Sequence, residues 1–468
     1  MHTFDPTTFF AAARDIKQTT SRCPVCLAPI AASIREIGGK VFMVKTCAAH
    51  GRFEVQLASN AACYYESHAT GGSCCPGSGC CSPAAKTPVA SDNPFDTLST
   101  CIALIEIVDS CNLSCPTCFA SSPKGVGDNI LCSTFENATN RIKGVLDRKG
   151  FIDILQLSGG EPTIHPRFFD ILSWAIDRTD IGYILINTNG VRLAGDRAFR
   201  ESLGELRRTR GKFELYLQFD GPQEAGQTQL RGSDLRAMRM RVLDECGAIG
   251  IPTSLAMTVT PANIDYLGET LRLGVARPHC RGISFQPMFH SGRNHIESST
   301  LPIFGGGTHT PLSVGDIIAA ACTQAPELIA DKDFTPLPCG DPNCHTIAYI
   351  LRTKDGPIGL SRLIDLESMQ GFLSNRVDYR LEDLARCGCD NEPLGEVIKG
   401  MELRPESPFR IFIKPFMDAF TFDADRIDRC CTHVIKQDGS LDSFCNYYLN
   451  GGAHGLNGGV PAGKPVHA

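Results

Sequence analysis

The chain lacks any run of about 18 apolar residues, so nothing in it reads as a membrane-spanning helix. Its first twenty residues, MHTFDPTTFFAAARDIKQTT, have no basic start followed by an apolar stretch, which argues against secretion. Charge of one sign is also missing. The 45 Lys and Arg face 51 Asp and Glu, a net of −6, which excludes a strongly basic nucleic-acid coat and an acidic disordered tail. No convincing long-period repeat is present. A cytoplasmic protein without a nucleic-acid partner is the default expectation. At roughly 150 residues per domain, 468 residues suggest about three domains. The 42% hydrophobic content is enough for a sizeable core.

What the chain has in excess is cysteine, 23 in all. Without a signal peptide these read as metal ligands rather than as a disulfide frame. Twelve lie in residues 1–118, four in 119–338 and seven in 339–468. Metal sites need local clusters, and clusters flanking a cysteine-poor middle are what this distribution offers.

Residues 20–55 read as a small metal-stapled domain, with alternating runs Ser33–Ile37 and Lys40–Lys45 around the turn signal Gly38-Gly39. Residues 69–94 form a Cys/Gly/Pro-rich linker. Residues 100–290 carry six apolar strand patterns alternating with five helical ones. The first helix opens at a capping box, Ser133-Thr134-Phe135-Glu136. That alternation predicts parallel strands joined by right-handed crossovers, an α/β fold with a partial (β/α)6 barrel. Ligands in such sheets sit beyond the carboxyl ends of the strands. Residues 313–330 are weakly helical, 330–450 form a cysteine-rich region with little periodicity, and 451–468 read as a disordered tail.

Four groups of residues carry chemistry. Cys111, Cys115 and Cys118 follow the first barrel strand in the sequence CNLSCPTC. Three thiolates at this spacing can wrap a [4Fe–4S] cube and leave one iron open; a zinc knuckle or ordinary buried cysteines are the alternatives. Ser158-Gly159-Gly160-Glu161-Pro162 ends the next strand. Its glycines permit close backbone approach, and Glu161 can accept from an ammonium group. Thr188, Asn189, Gln218 and Asp220 are further polar residues on the same rim, or simply turn formers. Cys23, Cys26, Cys47 and His50, as CPVC and CAAH, give four ligands for one tetrahedral ion, zinc or rubredoxin-like iron. At the other end Cys339, Cys344, Cys430, Cys431 and Cys445 suit auxiliary iron–sulfur clusters. The adjacent pair Cys430-Cys431 must diverge toward two clusters, or toward one cluster and a free thiol. Cys387, Cys389 and the pairs at 74–75 and 80–81 are weaker donors, and Cys132, Cys246, Cys280 and Cys322 read as packing residues.

The three-cysteine motif, GGEP and the six-strand alternation together resemble the radical S-adenosylmethionine superfamily over about Cys101–Phe289. The resemblance implies that Cys111, Cys115 and Cys118 hold the cluster, and that Gly159, Gly160 and Glu161 face the methionine amino group of S-adenosyl-L-methionine. Reductive cleavage of the sulfonium would then give a 5′-deoxyadenosyl radical, with electrons from a donor such as ferredoxin or flavodoxin. The blocks CPVC…KTCAAHG, CNLSCPTCFA, LYLQFDG, PLPCGDPNC and PFMDAFTFDADRIDRCCTHV…DGSLDSFC are further similar to the tetraether lipid synthase group. That group implies a rubredoxin-like metal site, two auxiliary clusters with Cys339, Cys344, Cys430, Cys431 and Cys445 among their ligands, and carbon–carbon bond formation between lipid chains. A lipid or other aliphatic substrate would bring peripheral membrane contact. The alternatives are a radical enzyme acting on a peptide or small metabolite, a non-catalytic electron-transfer protein, and a zinc-ribbon binding module. The catalytic residues are not assigned.

Overall fold

The computed structural model describes residues 13–65, 93–125, 127–294, 308–337, 340–363 and 407–454. Cys74, Cys75, Cys80, Cys81, Cys339, Cys387, Cys389 and the tail from 455 onward lie outside them.

Four antiparallel strands form the amino-terminal unit: β1 (Arg14–Arg22), β2 (Pro29–Ile37), β3 (Lys40–Cys47) and β4 (Gly51–Ala58). The Gly38-Gly39 turn has φ of 59° and 74°, the left-handed pair that a tight hairpin turn requires. Alternation buries Ile34, Val41, Met43 and Val55 on one face. The unit is wider than residues 20–55, because β1 and β4 are largely polar outside their buried positions and carry a weak apolar signal. Lys45 docks it onto the carboxyl-terminal region. Its Nζ donates to the carbonyls of Ala419 and Phe420, both at 2.7 Å, and to Ser21 Oγ at 3.0 Å. Burial pushes this lysine down to about 7.

The six expected parallel strands are present: β5 (Ile102–Val108), β6 (Ile152–Gly159), β7 (Ile181–Thr188), β8 (Phe213–Gln218), β9 (Thr253–Val259) and β10 (Cys280–Pro287). They pair in sequence order, each parallel to the next. Helices α1 (Phe135–Lys149), α2 (Phe168–Asp177), α3 (Arg197–Arg210), α4 (Arg236–Ala248) and α5 (Leu267–Val275) alternate with them. The first helix is capped one residue later than the capping box predicts: Thr134 Oγ1 accepts from Asn137 N at 3.1 Å. Gly150 closes it at φ 80°. The helices bury Ala138, Ile142, Phe168, Ile171, Leu203 and Val242 against the outward face of the sheet, in one continuous core.

The carboxyl-terminal region joins this sheet. After α6 (Val314–Gln324), β11 (Thr346–Thr353) runs antiparallel to β12 (Pro408–Ile413), which is parallel to β10. At the opposite edge β13 (Thr432–Ile435) is parallel to β5 and antiparallel to β14 (Leu441–Ser443). Eight parallel strands therefore run side by side, two of them from the part of the chain where periodicity is unreadable. The sheet order is open at both ends. Helix α7 (Phe444–Leu449) covers the inner face of β5 and β13 with Phe444, Tyr447 and Tyr448.

Candidate active site and metal centres

Cys111, Cys115 and Cys118 leave β5 on a loop held by its neighbours. Glu161 N donates to Ser110 O at 3.1 Å, and Gly160 N to Val108 O at 2.9 Å. A Cβ on Gly159 would stand 1.9 Å from Val108 O, and one on Gly160 2.1 Å from Ser110 O. The glycines of the GGE turn are thus required by the approach of the cysteine loop's own backbone. From the far side, Arg293 Nε donates to Cys115 O at 2.9 Å, and Arg293-Asn294 pair with Thr117-Cys118. The three thiols line one cavity with Gly159, Gly160, Glu161, Thr188, Asn189 and Gln218.

Glu161 is 1% exposed. Its Oε1 accepts from Thr163 N, Thr163 Oγ1 and Thr188 Oγ1 at 3.2, 2.5 and 2.9 Å, and its Oε2 from Asn189 N at 2.7 Å. Burial pushes the carboxyl up, and these donors pull it back. A carboxylate so occupied ties the β6 turn to the end of β7. Asn189 extends the tie: its Nδ2 donates to Asn112 Oδ1 at 2.7 Å and approaches Cys111 Sγ at 3.6 Å. Leu113 N points at the same sulfur from 3.4 Å. Burial, then the charge of Glu161, pushes the Cys111 thiol up to about 12; coordination to iron would hold it as thiolate.

Asp220 does not face the cavity as a rim residue would. It is 1% exposed, with φ 58°, and is gripped by two arginines. Arg231 meets it through Nε and Nη2 at 2.7 and 2.9 Å, and Arg239 through Nη1 at 3.0 Å. Burial acts to raise its pKa, but the two guanidinium groups carry it below the ordinary carboxylate range. Asp220 therefore positions Arg231. That arginine lines the cavity with Cys115, and its charge favours the thiolate there. Gln218 presents its amide to the same guanidinium, at 2.8 and 2.9 Å with the side-chain oxygen assigned toward it. Sequence reasoning missed Arg231; its only signal was a lone cation eleven residues beyond the β8 rim. A cavity with three thiols, backbone and amide donors toward sulfur, and one buried cation fits an anionic iron–sulfur group with a carboxylate-bearing ligand beside it.

Cys23, Cys26, Cys47 and His50 converge with all four ligand atoms within 4.8 Å of one another. His50 Nδ1 stands 3.5 Å from Cys23 Sγ and 3.4 Å from Cys47 Sγ, and Cys26 and Cys47 are 3.9 Å apart. A tetrahedral zinc with sulfur at ~2.3 Å has edges of roughly 3.8 Å, so the ligands stand ready for the ion. Leu27 at φ 59° and Gly51 at φ 77° turn the chain after each knuckle.

In the carboxyl-terminal group, burial and then the neighbouring Cys344 and Cys445 push the Cys430 thiol up, and burial with Cys344 nearby pushes Cys445 up to about 12. Arg426 brings its charge beside Cys344, and Met417 N points at Cys445 Sγ from 3.3 Å. Cys431 diverges from Cys430: it lines a second cavity with Cys101 and lies beside Gly340.

Residues 15–59 match the family model described as the HMPTM N-terminal zinc ribbon domain, and residues 105–274 match that of the radical SAM superfamily. The 7,8-dihydro-6-hydroxymethylpterin dimethyltransferase of Methanocaldococcus jannaschii is 26% identical over an alignment of 500 positions, covering 92% of this chain and 93% of that protein. The mycofactocin maturase MftC of Mycobacterium ulcerans is 26% identical over 198 positions, 40% of this chain and 50% of that protein. Among solved structures, Streptococcus suis SuiB bound to S-adenosylmethionine covers 50% of this chain and 52% of that chain, at 12% identity and a TM-score of 0.34.

Proposed function

Since the chain is a radical S-adenosylmethionine enzyme with an amino-terminal zinc ribbon, we propose that it builds a carbon–carbon bond on a small reduced heterocycle of the hydroxymethylpterin class, the methyl coming from a second adenosylmethionine that leaves as S-adenosylhomocysteine, with two electrons from the low-potential reductant. The observation that carries this reading is the end-to-end match to a relative named for that reaction. The inside of the barrel supports it. Polar side chains alternate along its strands: Gln156 donates to Asn187 at 2.9 Å, Asn187 to Ser158 at 3.0 Å, and Gln286 to Tyr216 at 2.8 Å. A greasy tunnel for a lipid tail would be lined otherwise.

Cys111, Cys115 and Cys118 would hold the cluster, and Arg231 would meet the carboxylate of the adenosylmethionine. Bound there, the pair supplies reductive cleavage of a sulfonium and the radical that abstracts hydrogen. The residues around it orient and exclude water. Glu161 fixes Thr188 and Asn189, while Phe119, Phe416 and Phe444 form the apolar wall of the cavity. Cys344, Cys430 and Cys445 would hold an auxiliary iron–sulfur cluster, with Arg426 as the counter-charge.

One feature favours an aliphatic substrate as a second reading, in line with the tetraether lipid synthase resemblance. Phe416 lines both the cluster cavity and a neighbouring one beside the ribbon, which Pro287, Met288 and Phe289 also line, so apolar side chains stand between the two. Reconstituted protein, S-adenosylmethionine and a low-potential reductant, offered 7,8-dihydro-6-hydroxymethylpterin and, separately, archaeal-type lipid extract, decide between the two. The proposal expects 5′-deoxyadenosine and a pterin heavier by one or two methyl groups. Unchanged pterin together with lipids that have lost paired hydrogens would overturn it.

A further inference from the structure

The interior of a parallel barrel is ordinarily packed with branched aliphatic side chains. Here its lower half carries a carboxylate. Glu214, on β8, is 4% exposed and lines a cavity inside the barrel. This cavity adjoins the cluster cavity: Ile102, Leu185, Tyr216, Lys414 and Thr432 line both. Glu214 Oε1 accepts from Ser254 Oγ at 2.8 Å. Its Oε2 stands 3.7 Å from Arg410 Nη2, beyond hydrogen-bond range. A buried carboxylate inside a cavity, with one oxygen accepting a single hydrogen bond and the other held by a long ion pair, keeps lone pairs on both oxygens for further donors.

We infer that Glu214 is the specificity-determining residue of the substrate pocket, and that it receives the paired N–H groups of a 2-aminopyrimidinone edge. This rests on the pterin reading above. A ring N–H beside an exocyclic N–H presents two parallel donors, the pattern that a carboxylate answers two-pronged in its pairs with guanidinium. Glu214 and Gln218 share one face of β8, four residues and thus about 13 Å apart. A bicyclic ring held by its pyrimidine edge at Glu214 therefore points its opposite edge, the one bearing the hydroxymethyl group, at the cluster cavity. Tyr216, midway on the same face, lies alongside the ring.

The test is anaerobic equilibrium binding to the reconstituted full chain, read by ligand fluorescence, with 6-hydroxymethylpterin and with 6-hydroxymethyllumazine, whose C2 carbonyl replaces the amine. Wild type is expected to prefer the pterin, and Glu214→Gln to bind it roughly 10- to 100-fold more weakly and lose the preference. Binding of S-adenosylmethionine by Glu214→Gln is expected to be unchanged, which reports intact folding. Wild type that binds neither ring overturns the pterin reading itself. Wild type that binds both equally overturns the role of Glu214 alone, whether or not the variant folds. So does a folded Glu214→Gln that keeps the wild-type preference, since a purely structural tie between Glu214 and Arg410 would leave the analogue ratio unmoved.

Discussion

Tyr448 donates its hydroxyl to Glu106 Oε1 at 2.8 Å, while Tyr447 donates to Oε2 at 2.7 Å. Glu106 projects from the inner face of β5, and both tyrosines come from α7, so this carboxylate pins the last helix over the first barrel strand. Burial pushes the Glu106 carboxyl up, against the pull of the two hydroxyls. An acid whose folded pKa is raised holds its proton longer when folded than when unfolded. Its contribution is therefore most favourable below the ordinary carboxylate value near 4.5 and is lost as pH rises toward the folded value. Glu106→Gln, which keeps the shape and has no charge to bury, is expected to melt closer to or above wild type as pH increases. Melting curves between pH 5 and 8 in which the difference stays flat would refute the burial account.

Cys115→Ala is expected to abolish formation of 5′-deoxyadenosine while the amino-terminal ion stays bound. Cys23→Ala is expected to lose that ion and, with it, the fold of β1–β4. Metal analysis beside product chromatography reads both. Normal cofactor cleavage by the Cys115 variant would remove the cluster from this loop.

Gly160→Ala places a Cβ 2.1 Å from the Ser110 carbonyl, so the cysteine loop must shift. A misplacement near 1 Å costs roughly 100-fold in turnover. The expected result is a folded protein with reduced iron content and a rate down by about that factor; a wild-type rate would show that the loop tolerates the shift.

Asp220→Asn leaves Arg231 and Arg239 buried without their shared counter-charge. Breaking such a group by removing one partner costs roughly 3–5 kcal/mol. Chemical denaturation should show a loss of this order, with weakened S-adenosylmethionine binding, because Arg231 is no longer held. Undiminished stability would mean that the arginines find other partners.

The parts of this fold that rest on neighbours in sequence were readable without coordinates. CPVC and CAAH bring their four ligands together through two knuckles and one hairpin, and the β/α alternation repeats with fresh turn signals. Roles that rest on distant partners were not. Glu161 reads as a ligand for an ammonium group until Thr188 and Asn189, a strand away, are seen to fill both its oxygens. Asp220 reads as a rim residue, and only its place between Arg231 and Arg239 shows that it positions rather than binds. Strands β12 and β13 escaped because they are short, six and four residues, and gain their stability from the edges they cover. Divergence of Cys430 from Cys431, by contrast, follows from adjacency alone, and the structure has it.

Those two strands also set the order of events in the cell. One edge of the core strands waits for Pro408–Ile413 and the other for Thr432–Ile435, segments synthesised well after the strands they cover. A ribosome still translating residue 400 holds a nascent chain whose barrel has two bare margins and whose interior is open to water. Iron delivered then would meet exposed thiols and oxygen. Iron loading is therefore expected only once the chain through Ile435 has been made and both edges are covered, and the bare margins are what a chaperone would have to shield until then.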